Sequence, residues 1–191
     1  CLNFGNPENP EIYYQLENAI RGAADACTFF EVPVISGNVS LYNETKEGPI
    51  DPTPIIGAVG ILENVDHCLS SGFKNTGDRV FLLGTHELAG DPSNLAGSEY
   101  LAFIHQMVIG RPKIDLEAEF KLQKLLVKLA KDQSINSAHD CSEGGMIVAI
   151  AEMAILGGIG VDLDFKITGR WDAALFGENQ SLVVVTATPD E

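Results

Sequence analysis

The sequence lacks several features that would assign it to a class at once. Its four cysteines are far apart and form no CxxC pair, so neither a zinc site nor a disulfide framework is indicated, and we expect a reducing cytoplasmic setting. No apolar run approaches a membrane span, and nothing resembles a signal peptide. Without a G-x-x-x-x-G-K-[ST] loop or a dinucleotide fingerprint, any nucleotide chemistry must use another scaffold.

Positive charge is scarce as well. The 191 residues include 12 Lys and Arg against 27 Asp and Glu, a formal net charge of -15. This sign opposes binding to nucleic acid or to an anionic membrane through a broad basic face. We therefore expect neither partner. A phosphorylated small-molecule substrate stays compatible, because backbone N–H groups and a metal ion bind phosphate without an excess of basic side chains.

The composition is that of a folded protein. Hydrophobic residues make up 45% and charged residues 20% of the sequence, which suits one large domain or two small ones. The sequence begins at Cys1 without an initiator Met, and we expect a piece of a longer polypeptide. We place a domain boundary near Asn64, which gives domains 1–64 and 65–191.

Hydrophobic periodicity predicts interleaved helices and strands. In the first domain it predicts a helix over Asn9–Phe30 and strands over Val32–Ser36 and Ile55–Leu62. Such alternation indicates a layered α/β to α+β fold. The second domain is predicted to contain the following elements: a strand Asp78–Gly84, a loop Glu87–Ala96, a helix from near Ser98, a helix Asp115–Lys131 capped by Asp115, a loop Ser137–Gly145, a helix ending at Gly157–Gly158, a strand Gly160–Phe165, a helix Trp171–Phe176, a turn Gly177–Gln180 and a strand Ser181–Ala187.

One candidate site is the string Ser36-Gly37-Asn38-Val39-Ser40, which follows a predicted strand. Gly37 permits close approach of a ligand to the backbone. Asn38 offers a neutral amide oxygen suited to a hard cation such as Mg²⁺, and Ser40 offers a hydroxyl. The same composition also fits an ordinary turn at the end of a strand, and the residues alone leave both interpretations open.

A second candidate is an anion loop of Asp140, Ser142 and Gly144 within His139-Asp140-Cys141-Ser142-Glu143-Gly144-Gly145. At a helix N-terminus, exposed N–H groups and the helix dipole attract phosphate or carboxylate, with Ser142 able to cap. The carboxylates of Asp140 and Glu143 would repel a bare phosphate unless a cation bridges them. A simply capped helix start is the alternative.

Four strings together carry a resemblance to a known family. They are Cys1-Leu2-Asn3-Phe4-Gly5-Asn6-Pro7, Ser36 to Glu44, Gly97-Ser98-Glu99-Tyr100-Leu101 and His139 to Gly145. Their order and separations are similar to those in the second half of the large, synthetase subunit of the phosphoribosylformylglycinamidine synthase family. That family lies within the aminoimidazole ribonucleotide synthase-like superfamily. The resemblance covers essentially the whole sequence.

The resemblance implies a fold and an activity. Residues 1–64 would be the tail of the second N-terminal-type, ATP-binding domain, and 65–191 most of the second C-terminal-type domain, incomplete at its end. The family is a ligase of de novo purine biosynthesis. It converts formylglycinamide ribonucleotide, ATP and glutamine-derived ammonia to formylglycinamidine ribonucleotide, ADP and phosphate, and it works with a glutaminase subunit and a small accessory subunit.

The resemblance also assigns roles one residue at a time. Gly37 matches the family's ATP-contacting glycine, Asn38 its Mg²⁺-ligating asparagine and Ser40 its substrate-contacting serine. It implies ATP and Mg²⁺ as cofactors and places no catalytic base in these residues, so the 191 residues alone are expected to be inactive. Three positions depart from the family pattern, namely Cys141, Asn179 and Ala96. The departure at Asn179 leaves the turn Glu178–Gln180 outside the predicted site.

Two other interpretations remain. The protein could belong to another ATP-using branch of the superfamily, such as the selenophosphate synthetases or the small-molecule kinases. It could also be a non-catalytic nucleotide-binding half with a structural role. Substrate-dependent ATP turnover separates the first from the leading interpretation, and tightly held, unhydrolysed ADP would favour the second.

Overall fold

The computed structural model describes residues 1–84 and 88–189, and the protein divides into two compact units. The first unit runs from Cys1 to Ile61 and the second from Leu62 to Glu191. Each contains both helices and strands, so the predicted layered α/β to α+β class is confirmed. In the described ranges, no helix combines the length and apolarity that crossing a bilayer requires.

The first unit is built on a small sheet and one long helix. Strand β1 (Leu2–Asn3) lies between β2 (Val39–Ser40), which runs parallel to it, and β5 (Thr53–Pro54), which is antiparallel. A second pair, β3 (Glu44–Thr45) and β4 (Gly48–Pro49), is antiparallel. Phe4, which is 1% exposed and directly follows β1, fills the centre of the unit.

Helix α1 (Pro10–Phe29) confirms the first predicted helix. The side chain of Asn9 accepts a hydrogen bond from the backbone N–H of Glu11 at 2.9 Å, which satisfies one of the unpaired N–H groups at the helix start. Pro10 occupies the first turn, where its missing N–H costs nothing. Ile12 is the buried anchor of the helix.

Two predicted strands of the first domain, 1–64, are wrong. Residues Val32–Ser36 and Ile55–Leu62 form no strand in the described part of the protein, although both runs are rich in β-branched residues. Val34 and Ile35 are 78% and 84% exposed, and Val59 is 93% exposed. A strand exists only with a hydrogen-bonded neighbour, and propensity for extended backbone does not supply one.

The second unit is organised by an antiparallel sheet of three strands. Strand β10 (Val183–Ala187) lies between β6 (Arg79–Leu83) and β8 (Ser137–Asp140), with Val185 opposite Phe81 on one side and Ala138 on the other. Side chains of consecutive β10 residues point to opposite faces. Val184 therefore belongs to one buried cluster and Val185 to another. The larger cluster consists of Phe73, Cys141, Met146, Ala149, Ile150, Met153 and Val184.

Four α-helices pack in the described part of this unit. They are α2 (Glu99–His105), α3 (Leu116–Lys131), α4 (Gly145–Gly157) and α5 (Trp171–Phe176). The predicted cap of α3 is confirmed, because the Asp115 carboxylate accepts from the backbone N–H groups of Glu117 and Ala118 at 3.0 and 3.1 Å. Helix α4 ends at Gly157 and is followed by Gly158, which adopts φ 65° as the left-handed C-cap that glycine favours.

Other predicted boundaries need correction. The predicted loop Ser137–Gly145 begins with four residues of strand β8, and residues Gly160–Phe165 form no strand. Instead, β9 (Ile167–Gly169) pairs in parallel with β7 (Leu88–Gly90), inside the range predicted as a loop. Glu87 of that loop, and residues 190–191 of the predicted second domain, lie outside the described residues. The assignment of 1–64 and 65–191 to particular domain types stays a prediction.

Candidate functional site

The first candidate segment, Gly37 to Ser40, lies at the edge strand of the small sheet. The carbonyl oxygen of Asn38 accepts from the backbone N–H of Leu2 at 2.9 Å, and that of Ser40 accepts from the backbone N–H of Phe4 at 3.0 Å. These bonds fix the backbone on both sides of Val39. The side chain of Asn38 is exposed and makes no hydrogen bond to another described residue, so its amide oxygen is accessible.

Gly37 is not demanded by the fold of this unit. A Cβ built on it meets no atom within 4 Å, and its φ is not positive. Elsewhere in the described ranges, glycines such as Gly145 are required by a positive φ or by a close neighbour. The open space over Gly37 leaves the backbone of this edge approachable by a ligand.

Ser40 is held by Asn43, a residue that the sequence did not single out. The hydroxyl of Ser40 donates to Asn43 Oδ1 at 3.2 Å, and Asn43 Nδ2 donates to the carbonyl oxygens of Ser40 and Phe4 at 2.9 and 3.1 Å. Tyr42, between them, has φ 60°. The only sequence signal for this arrangement is an Asn in a turn-rich string, which is typical of side chains that bond nearby backbone.

The second candidate, the 140–145 loop, extends from Asp140, the last residue of β8, to Gly145, the first residue of α4. Gly144 and Gly145 have φ 78° and 70°, a left-handed conformation that glycine adopts at little cost. The predicted capping role of Ser142 is wrong. Its hydroxyl donates to Asp140 Oδ2, while the N-cap position is Gly144, which has no side chain. Thus the loop turns through its glycines and is not capped by serine.

The loop has strong negative character. The Ser142 hydroxyl holds the pKa of Asp140 below its ordinary value of 3.8, against the opposing effect of partial burial, with smaller contributions from its own backbone and His139. His139 Nδ1 lies 2.8 Å from the carbonyl oxygen of Asp140, and its Nε2 lies 3.3 Å from a carboxylate oxygen of Glu152. Bare phosphate is disfavoured in such a setting, and a cation is favoured.

A small cavity of about 250 Å³ opens beside this loop. It is lined by His139, Asp140, Ser142, Glu143, Ala149 and Glu152. Within the described ranges, no group of three or more His, Cys, Asp or Glu side chains has the arrangement to hold a metal ion on its own. A cation here would therefore need oxygen ligands from a bound ligand or water as well.

Cys141 points away from this chemistry. Its thiol is in the buried core cluster, and burial together with the neighbouring Asp140 charge raises its pKa from 9.0 to about 12. A thiol with that pKa is almost entirely protonated at neutral pH and is a poor nucleophile and a poor metal ligand. Its departure from the family pattern is thus a matter of packing.

Glu178 is the residue that sequence reasoning missed in this unit. Its Oε1 accepts from the backbone N–H of Gly144 at 2.9 Å and from that of Glu99, the first residue of α2, at 2.7 Å. The polar composition of the turn after α5 is typical of a solvent-exposed turn. No local pattern announces these contacts, because the partners are 34 and 79 residues away in sequence.

The predicted site residues therefore fall into two groups. Gly37, Asn38 and Ser40 lie along one edge of the first unit, where Gly37 and Asn38 are exposed and Ser40 is half-buried, and Asp140, Ser142 and Gly144 share one loop of the second. The roles in binding ATP, metal, substrate or anion stay predictions.

Comparison with protein families gives two matches. Residues 1–62 match the family described as "AIR synthase related protein, N-terminal domain", and residues 75–191 match "AIR synthase related protein, C-terminal domain". Together these ranges account for nearly the whole sequence.

Curated relatives and a solved structure are similar as well. The protein is 50% identical over 190 residues to phosphoribosylformylglycinamidine synthase subunit PurL of Thermomicrobium roseum, covering 97% of this sequence and 25% of the relative. It is 45% identical over 192 residues to that of a Thermoanaerobacter species, covering 100% and 26%. The 191 residues therefore span about a quarter of these relatives. A structure of Thermotoga maritima PurL complexed with FGAR superposes with a TM-score of 0.66 at 18% identity, covering 99% of this protein and 31% of that one.

Proposed function

Because the protein belongs to the AIR synthase related protein family, we propose that it is part of a phosphoribosylformylglycinamidine synthase. The whole enzyme would convert formylglycinamide ribonucleotide, ATP and glutamine-derived ammonia to formylglycinamidine ribonucleotide, ADP and phosphate. The observation that supports this most directly is 45–50% identity, along essentially the entire sequence, to subunits of that synthase.

The chemistry explains why a nucleotide and a metal are needed. An amide oxygen is a poor leaving group until it is phosphorylated. Transfer of the γ-phosphoryl group of ATP to that oxygen releases ADP, and ammonia then attacks the amide carbon and expels phosphate with the oxygen. A bound Mg²⁺ would neutralise charge on the phosphoryl group during its transfer.

Among these residues, the edge from Gly37 to Ser40 would serve the nucleotide and metal. Gly37 would let the phosphates approach the backbone, and the accessible amide oxygen of Asn38 would contribute one ligand to Mg²⁺. The open space over Gly37 and the exposed, unbonded side chain of Asn38 fit these roles. Ser40 would contact the substrate, with its hydroxyl oriented by Asn43.

The 140–145 loop would contribute a second anion site through Asp140, Ser142 and Gly144. Because its surroundings are acidic, the anion would be a phosphate group accompanied by a cation, as in a magnesium nucleotide. We also propose that the whole enzyme works in the cytoplasm with a glutaminase subunit and a small accessory subunit. The relatives' name as a subunit supports an assembly of this kind.

The test uses the full-length protein that contains these residues, with ammonium chloride as nitrogen source so that no glutaminase is required. We expect formation of ADP and amidine product by the wild type and its loss, by at least about a hundredfold, in Asn38→Leu. The matched control is Asn18→Leu, which changes an exposed Asn of α1 whose side chain donates to the carbonyl oxygen of Tyr14 in the same helix. Full activity in Asn38→Leu would refute the metal role. ATP turnover that depends on a different substrate would refute the ligase assignment.

A further inference from the structure

The carboxylate of Glu178 joins the starts of two helices. Its Oε1 accepts hydrogen bonds from the backbone N–H of Glu99, in the first turn of α2, and from that of Gly144, the N-cap of α4. Helix starts leave N–H groups without partners, and a carboxylate is a strong acceptor for them at neutral pH. In α2, Ser98 already caps the N–H of Leu101 at 3.3 Å. The N-cap residue of α4 is a glycine and makes no side-chain cap. Glu178, which is distant in sequence, provides the acceptor at this helix start.

The turn that carries Glu178 is itself locked against the loop. A Cβ on Gly145 would come within 2.7 Å of the carbonyl oxygen of Gly177 and 2.8 Å of the carbonyl carbon of Phe176. The backbone N–H of Glu178 donates to the carbonyl oxygen of Asn94 at 3.1 Å. Further along the turn, the Ser181 hydroxyl donates to Glu119 of α3 at 2.7 Å.

We propose that Glu178 is a positioning residue for the 140–145 loop. The carboxylate fixes the Gly144 N–H and the left-handed turn at Gly144–Gly145, and through them it sets the placement of Asp140 and Ser142. This rests on the proposed function only in that the loop is to bind an anion. Because the Gly144 N–H already donates to Glu178, an incoming anion must bind to the remaining polar groups of the loop.

The alternative is that the Glu178 carboxylate occupies the position of the ligand's anionic group in the 140–145 loop and is displaced when the ligand binds. The packing argues against it. One carboxylate oxygen serves two separate helices, and the neighbouring backbone leaves no room for even a methyl group at Gly145. Displacing Glu178 would break both of these hydrogen bonds and disturb the close packing at Gly145.

The experiment compares wild type with Glu178→Ala, Glu178→Gln and the control Glu99→Gln by amide hydrogen exchange of the full-length protein that contains these residues. Glu99→Gln removes one negative charge close to the same helix start but keeps the backbone N–H that Glu178 binds. In Glu178→Ala we expect exchange in peptides covering 99–101 and 142–146 to rise by about tenfold or more, while α3 exchanges as before. The Gln variant keeps an acceptor oxygen and is expected to retain most of the protection.

A second measurement is the titration of the Asp140 carboxyl by NMR. Losing the Glu178 charge alone would lower the pKa of Asp140, whereas loosening the loop breaks the Ser142 bond and raises it. We expect a rise in Glu178→Ala. Unchanged exchange at 142–146, a uniform increase across α3 as well, or a fall in the pKa of Asp140 would each overturn the inference. Neither measurement uses a nucleotide or a substrate. The role of Glu178 can therefore be tested even if the proposed ligase function is wrong.

Discussion

Asn43 Nδ2 donates a hydrogen bond to the carbonyl oxygen of Phe4 at 3.1 Å, joining two residues 39 positions apart. The same nitrogen donates to the carbonyl oxygen of Ser40 at 2.9 Å. Because both partners are acceptors only, the side chain at 43 must be a donor at this end. One amide thus connects the buried centre of the first unit to the edge that carries Gly37 and Asn38.

This requirement predicts the effect of replacing Asn43. Asn43→Asp puts a carboxylate oxygen against two carbonyl oxygens, and we expect it to cost about 2–3 kcal/mol at pH 7. Asn43→Ala loses the bonds without the repulsion and should cost about 1–2 kcal/mol. Denaturant unfolding followed by circular dichroism measures both. Equal stability of the Asn43→Asp variant and wild type would contradict the donor assignment. Acidification that protonates the introduced carboxylate should recover part of the loss.

Gly145 should be intolerant of a side chain. Its φ of 70° and its contact with the Gly177 and Phe176 backbone leave an added Cβ nowhere to go. We expect Gly145→Ala to destabilise the protein by about 3 kcal/mol or more. The matched control is Gly22→Ala in the exposed interior of α1, where a Cβ meets nothing within 4 Å. That variant should gain up to about 1 kcal/mol, because alanine is the better helix former. Thermal unfolding compares the two.

The buried thiol of Cys141 should resist modification. Cys1 and Cys68 are exposed and should react with a thiol reagent at pH 8, whereas Cys141 should react only after unfolding. Peptide mapping after labelling identifies the sites. Rapid labelling of Cys141 in the folded protein would contradict the buried, high-pKa assignment.

The same thiol predicts a decline of stability at alkaline pH. The folded-state pKa of Cys141, about 12, is above its ordinary value of 9.0. Below pH 9 both states keep the proton, and the contribution to stability is complete. As the pH rises from 9 to 12 the unfolded protein loses the proton first, so stability falls, by on the order of 4 kcal/mol. Cys141→Ala should show a flatter decline than wild type, while Cys68→Ala should not. Identical curves would contradict the prediction.

The ion pair of Arg170 with Asp172 predicts an acid dependence of opposite sign. Arg170 Nε donates to Asp172 Oδ1 at 3.0 Å, and its Nη2 also bonds the carboxylate. The Arg170 bonds lower the pKa of Asp172, more than burial raises it. Its contribution to stability is therefore present above pH 3.8 and lost as the pH falls through the depressed pKa. Asp172→Asn should be less stable than wild type at pH 7, and the gap should close in acid. Asp25→Asn, an exposed carboxylate of α1, serves as control.

The elements predicted well from the sequence are those with local signals. Helix α1 begins at Pro10, and α3 begins after the Asp115 cap, because the residues that stop and start a helix act within one turn. Strands β6 and β10 were also located, since a continuous apolar run bounded by turn residues predicts a strand.

The errors share a physical cause. Residues Val32–Ser36, Ile55–Leu62 and Gly160–Phe165 favour extended backbone, but a strand is made by a partner elsewhere in the sequence. The same limit applies to the candidate site, because only residues with a local sequence signal could be predicted. Gly37 and Ser142 could be found in short strings, whereas Asn43 and Glu178 act across distances that no periodicity reports.

The position of β10 has a consequence for how the second unit is made. Its sheet has the order β6-β10-β8, so the middle strand is the last of the three in sequence. On the ribosome, β6 and β8 are therefore synthesised well before the strand that lies between them. Nascent polypeptides stalled before Val183 should leave both strands open to protease, and release past Ala187 should close the sheet in one late step.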